Sequence, residues 1–259
     1  MTFSVDQLLD WLAAYAWPFV RISATLTAMV AFGTQLMPRR VRVLLTLAIA
    51  LVVVPTLPPM PNETLFSIKG MLITGLQVVV GLAIGFITQM VMQILVLAGS
   101  IIAMQSSLGF AAMVDPVSGQ QTPVVSQLFL MLATLLFFAL DGHLWLLQML
   151  HMSFFLVPVG VDGIQLPNYQ VISGFGTTLF ASGLSMAIAE VIALLLINIT
   201  FGYMTRAAPQ LNIFTIGFPI IMLSGLLFLW ITAANLLDHF MQAWRDGQGA
   251  ICTLLRTSC

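Results

Sequence analysis

From Leu12 to Leu236 the chain passes through one apolar stretch after another, each about long enough to cross a bilayer, separated by short breaks rich in Pro, Gly and Arg. A spanning helix needs roughly 20 mainly apolar residues. Six such segments can be drawn: Leu12–Leu36, Val41–Leu57, Gly70–Val96, Gln127–His151, Thr177–Tyr203 and Ile213–Leu236. Hydrophobic residues make up 60% of the chain and charged residues 7%, against about 25% charged in a soluble domain. That is too little polar surface to coat a water-soluble body, so the apolar excess must face lipid or other subunits. The sequence predicts an all-α integral membrane protein with about six hydrophobic helical segments. The second is short for a span.

A formal net charge of -1 leaves no basic field for nucleic acid, because neutralising phosphates takes clustered Lys and Arg. The basic residues report orientation instead, since short basic loops stay on the cytoplasmic side. Placing the Arg39, Arg40 and Arg42 loop in the cytoplasm puts Pro58–Lys69 outside, 97–126 inside, the Asp162 loop outside and Arg206 inside. The tail with Arg245 and Arg256 then falls outside, against that trend. Cys252 and Cys259 show no CxxC spacing, and no disulfide framework follows from them. The start, MTFSVDQLLDW, lacks the basic residues that open a signal peptide, so the first segment is expected to stay.

One stretch departs from the pattern. Ala98–Ser126 carries Gly99, Gly109, Gly119, Pro116 and Pro123 among polar residues, and a loop this long needs a reason. It reads either as an interfacial loop, with Asp115-Pro116 starting a turn, or as a re-entrant plug. In the second reading Leu108, Phe110, Met113 and Val114 close a pore by excluding water, with Gly109 and Gly119 as hinges. Arg21 and Glu190 lie inside apolar segments, where an ionisable group is a functional hypothesis by default. The alternatives are a structural ion pair, interhelical hydrogen bonds through Asn198 and Asn235, or a proton relay. Gly81 and Gly85, four apart, let helix backbones approach closely. His143 and His151 share one helix with no third ligand, which argues against a metal site.

An enzyme reading rests on Gly183-Leu-Ser185-Met, which faintly resembles the serine motif of rhomboid intramembrane proteases, with His239 as a possible base. Ser185 falls about eight residues, or roughly 12 Å, into its segment, whereas His239 sits at the end of its own. That mismatch breaks hydrogen-bond reach, and Ala187 stands near where a glycine is expected.

Four blocks together resemble the FliR family of flagellar type III export-gate membrane proteins. They are Trp17-Pro-Phe-Val-Arg21 followed by MPRRVRVLLTLAIAL, then GFAAMVDPVSGQQTPVVSQ, then FFALDGHLWLLQMLHMSFFLVPVG, and Leu211-Asn-Ile-Phe-Thr-Ile-Gly-Phe-Pro219. The resemblance implies a non-enzymatic, cofactor-free subunit in the bacterial inner membrane, within the flagellar basal body. It would assemble with FliP and FliQ, with FlhB and FlhA as further partners, and pass unfolded flagellar subunits. The loop matching Ser106–Gln121 is the plug in that family, which carries the role onto Ser106, Leu108, Gly109, Phe110, Met113, Val114, Asp115, Pro116 and Gly119. A single membrane domain is implied: a FliP-like part over about 1–170, a FliQ-like hairpin over about 171–240, and a tail over 241–259. In such a helical assembly, hydrophobic segments can cover neighbouring subunits rather than span lipid. A virulence-type injectisome gate is the alternative within the same family; Asp141-Gly-His143 and His151-Met-Ser-Phe-Phe-Leu-Val-Pro158 look flagellar.

Overall fold

A computed structural model describes residues 5–29, 32, 37–61, 63–109, 123–160, 168–208, 216–257 and 259. Among them all regular structure is helical, and no strand occurs. The α-helices are α1 (Val5–Ala28), α2 (Arg39–Val53), α3 (Ile68–Gln105), α4 (Val124–Ala139), α5 (Gly142–Leu156), α6 (Gln170–Ala207), α7 (Phe218–Ala234) and α8 (Leu236–Leu254). Two of these, α3 and α6, are each long and apolar enough to cross a membrane, and the number rises to four if each bent pair, α4 with α5 and α7 with α8, is one span.

Several boundaries differ from the sequence expectation for local reasons. Gly70–Val96 extends to a 38-residue helix ending at Gln105, so the irregular stretch does not begin at Ala98. Gly99 lies inside this helix, where a Cβ would stand 3.0 and 3.2 Å from Ser126 and Phe129 of α4. That glycine serves packing, not a turn. Gln127–His151 is not one helix. It breaks at Asp141, an exposed residue held at φ 55, where a polar residue in left-handed backbone ends one helix and opens the next. Val41–Leu57 ends earlier as α-helix and passes into a 3-10 turn, Val54–Thr56, because Pro55 cannot continue the ladder. Arg39, Arg40 and Arg42 lie in the first turn of α2 rather than in a loop, and Arg206 lies in the last turn of α6, where a cation suits the negative helix end.

The tail is also helical. In α8, Leu236, Phe240, Ala243, Trp244, Ile251 and Leu254 are buried while Asp238, Arg245 and Asp246 are exposed, a period-3.6 amphipathic pattern. Beyond it Arg256 takes φ 57, and the amides of Arg256 and Thr257 return to the carbonyls of Thr253 and Cys252. This left-handed cap satisfies the last turn. Cys252 and Cys259 are paired across it, a local staple the cysteine spacing had not suggested.

The chain divides into two compact units. One comprises Met1–Met90, Leu140–Phe175 and Asp246–Cys259; the other comprises Val91–Ala139 and Gly176–Arg245. In the first, α1 and the early part of α3 lie side by side and run parallel. Trp17 Nε1 donates to Thr74 Oγ1 at 3.2 Å. Further along, a Cβ on Gly81 would strike the Arg21 carbonyl and Ala24, and one on Gly85 would strike Thr25 and Ala28. The four-residue glycine spacing thus meets small residues at the same spacing on α1, as close backbone contact requires. In the second unit, Gly183 of α6 packs on Leu97 of α3, Gly225 of α7 on Ser106, and Phe137 meets Trp244 edge-on at 5.2 Å.

Candidate functional site

Arg21 is the most demanding side chain in the first unit. It projects from α1, three residues after Pro18, and is 0% exposed. Stripping water from a guanidinium costs several kcal/mol, so its donors need acceptors. Among the described residues they find them without a carboxylate. Nε donates to Gln77 Oε1 at 2.7 Å, Nη1 to the Ser153 carbonyl at 2.8 Å and Ser153 Oγ at 3.2 Å, and Nη2 to the Val157 carbonyl at 2.8 Å. The Phe154 ring lies 4.2 Å from Cζ, in cation–π range.

Two of those acceptors explain why no acid is required. Ser153 is in the last turn of α5 and Val157 is its C-cap, followed by Pro158, which supplies no N–H. Both carbonyls lie at the negative end of the helix dipole; that of Ser153 also accepts the Val157 N–H at 2.9 Å and is shared with Arg21, whereas that of Val157 lies beyond the last turn. Arg21 therefore caps α5 from another helix. Ser153 Oγ completes the network by donating to the Leu150 carbonyl at 2.6 Å. Each hydrogen bond to a charged group contributes about 1.5–3 kcal/mol, enough in number to offset desolvation. Nearby, burial pushes the Tyr169 phenol above its ordinary pKa, with the Arg21 charge opposing.

Glu190 is placed differently. It sits on α6 in the second unit, 4% exposed, and neither carboxylate oxygen has a hydrogen-bond partner among the described residues. The expected pairing is thus not what satisfies Arg21. Asn235 is the C-cap of α7, and its side-chain amide donates to the Ile231 carbonyl at 3.5 Å on its own helix. His151 lies against Thr56, Nε2 to Oγ1 3.0 Å. Ser185 lies on α6 and His239 on α8.

Of the expected plug, Ser106, Leu108 and Gly109 are described, whereas Phe110, Met113, Val114, Asp115, Pro116 and Gly119 lie outside the described residues. Ser106 is fully buried and its hydroxyl donates to the Ile102 carbonyl at 2.8 Å. The left-handed turn that ends α3 falls on Ser107 at φ 64, not on Gly109, whose amide returns to the Ala103 carbonyl at 2.8 Å. The loop thus leaves a fixed anchor.

Sequence reasoning missed Gln77 and Ser153. The available signal was the polar Gln77 in an unbroken apolar run, and the Val157-Pro158 pair that ends a helix and leaves a carbonyl free. Arg21→Met should lower stability by about 3 kcal/mol, because it orphans buried acceptors. Arg21→Lys should recover less than half of that loss, since the three donors of an ammonium radiate from one atom and cannot reach acceptors that the guanidinium meets from three separate nitrogens. Thermal unfolding of the detergent-solubilised chain measures both, and a lysine variant as stable as the parent would refute the capping geometry.

Residues 12–247 match the model of a family described as bacterial export proteins, family 1. The chain is 34% identical over 229 residues to "Flagellar biosynthetic protein FliR" of Pectobacterium carotovorum subsp. carotovorum, covering 88% of this chain and 87% of the relative. The protein of the same description from Escherichia coli (strain K12) is 34% identical over 221 residues, 85% of this chain and 84% of the relative. The one from Bacillus subtilis (strain 168) is 27% identical over 220 residues, 83% and 84% of the two chains. With the family match running almost end to end and relatives aligned over most of both lengths, the chain belongs to the FliR family of bacterial export proteins.

Proposed function

We propose that this chain is a structural and gating subunit of the flagellar type III export channel in the bacterial inner membrane, passing unfolded flagellar subunits and catalysing no reaction itself. The observation that carries this reading is the family match over residues 12–247, joined by relatives with flagellar names. Those names favour the flagellar apparatus over a virulence-type injectisome.

The physical character of the chain supports the same reading. Large side chains stand exposed along whole helix faces, such as Leu44, Leu51 and Val52 on α2 and Leu223, Leu227 and Trp230 on α7. Such faces need cover from lipid or from companion subunits. FliP and FliQ are the proposed neighbours, with FlhB and FlhA as further partners. The six hydrophobic segments serve as helices of that assembly whether or not each crosses lipid. The parallel run of α1 and α3 fits an orientation with the Arg39, Arg40 and Arg42 end of α2 and the Arg206 end of α6 toward the cytoplasm. We assign residues 1–170 to a FliP-like part and 171–240 to a FliQ-like hairpin.

Gating falls to the loop from Ser106 to Gln121, whose apolar Leu108, Phe110, Met113 and Val114 form a dewetting seal. Extracted in mild detergent, the chain should bring FliP and FliQ with it, and deleting Gly109–Gln120 should leave that assembly intact but leaky to ions. Unchanged conductance in an assembled gate would rule out the seal. Glu190, buried and without a hydrogen-bond partner among the described residues in a chain with few intramembrane acids, is proposed as a packing residue and not part of a proton path. Glu190→Gln should leave the dependence of secretion on the proton gradient unaltered; uncoupled secretion would assign it an energetic role instead.

A further inference from the structure

Two cysteines, 7 positions apart, close a small loop around the end of α8. Cys252 lies in the last turn of that helix and is 3% exposed, whereas Cys259 is exposed; their Cα atoms stand 5.8 Å apart and their sulfurs are bonded. Paired thiolates can also hold zinc, but zinc needs further ligands. Among the described residues no group of three or more His, Cys, Asp or Glu could hold a metal.

The surroundings of the bond indicate its side of the membrane. The turn it closes carries the Leu254 carbonyl, which accepts the Asn168 N–H at 3.1 Å, and Leu254 and Leu255 are buried there. Asn168 stands two residues before α6, so the bonded loop sits at the start of that helix. α6 runs for 38 residues, has Arg206 in its last turn, and is long and apolar enough to cross a membrane. At 1.5 Å per residue it is about 57 Å long, against a bilayer core about 30 Å thick. A crossing α6 therefore leaves the bonded loop and Arg206 on opposite sides. Basic ends stay in the cytoplasm, which puts the loop on the other face.

Cysteine chemistry agrees. Cytoplasmic thiols are kept reduced by glutathione and thioredoxin, whereas disulfides persist in the bacterial periplasm. We infer that Cys252 and Cys259 are oxidised on the periplasmic face, where their bond clasps the end of α8 against the start of α6. The oxidant is a protein disulfide of that compartment. The thiolate of the exposed Cys259 attacks one oxidant sulfur, forming a mixed disulfide and releasing the other sulfur as a thiolate. The Cys252 thiolate then attacks Cys259 Sγ, which closes the bond within this chain and releases the second oxidant thiolate. Two electrons and two protons leave this chain, and the oxidant ends as a dithiol. The inference rests on the membrane orientation proposed above and not on the gating role.

The test is thiol labelling of the full chain in spheroplasts, with a charged maleimide and a charged phosphine reductant that do not cross the inner membrane. With membranes intact, maleimide alone should leave the chain unlabelled, and phosphine followed by maleimide should label it. Labelling without reductant, or labelling that waits until the membrane is permeabilised, would overturn the inference. Arg206→Cys in a Cys252→Ser/Cys259→Ser chain, altered at an exposed residue, reports the orientation separately. That variant should be labelled without reductant, and only after permeabilisation. Labelling of it from outside would show the orientation to be wrong. If it is shielded while Cys259 of the parent is found as a free thiol, the orientation stands and the periplasmic disulfide does not.

Discussion

A fully buried cation with no carboxylate partner among the described residues is the condition around which the first unit is organised. Arg21 is acceptable only where its donors meet oxygen, and the oxygens come from three directions: an amide on α3, a hydroxyl on α5, and two carbonyls at the end of α5, of which that of Ser153 also accepts the Val157 N–H. None of these is local to α1. The side chain therefore fixes how far α5 extends along α1 and which turn of α3 stands opposite. Apolar contact alone could not fix either, because in a lipid surround one greasy face is nearly as good as another.

The rest of the packing is consistent with that constraint. Trp17, one turn before Arg21, is fully buried and hydrogen-bonded to Thr74; Gly81 and Gly85, about two and three turns further along α3, are bare where Ala24, Thr25 and Ala28 press against them. Small residues recur in the second unit at Gly99, Gly183 and Gly225, each with a neighbouring helix where its side chain would be. Both units thus combine close backbone approach with buried aromatics such as Trp17, Phe154, Phe129 and Phe137, and leave many other large apolar side chains exposed. Exposed apolar faces of this extent need cover from lipid or other chains.

Much of this was legible in the sequence because hydropathy and length alone mark the long helices, and because glycines four apart predict close packing. Ends and breaks were less legible. Hydropathy does not register Asp141, since one polar residue hardly alters a long apolar window, yet its left-handed backbone divides the segment. Gly99 read as loop punctuation because a glycine in sequence gives no sign of whether its bareness serves a turn or a neighbour. The tail escaped for the opposite reason: α8 is too polar for a span, and its apolar residues register only when spaced around a helix. The partners of Arg21 were hidden because charge suggests charge, whereas the acceptors here are neutral. Glu190 was the obvious counter-ion by composition, but composition carries no position.

A double-mutant cycle between Arg21 and Gln77 addresses the central claim most directly, using Arg21→Met, Gln77→Met and the combined variant, with stability followed by thermal unfolding in detergent. If the guanidinium holds α3 as described, the two losses will be strongly non-additive, with a coupling of more than about 1 kcal/mol, as for residues sharing one buried network. Losses that simply add would mean that Arg21 and Gln77 are buried near one another without depending on each other, and the account of the first unit would be wrong.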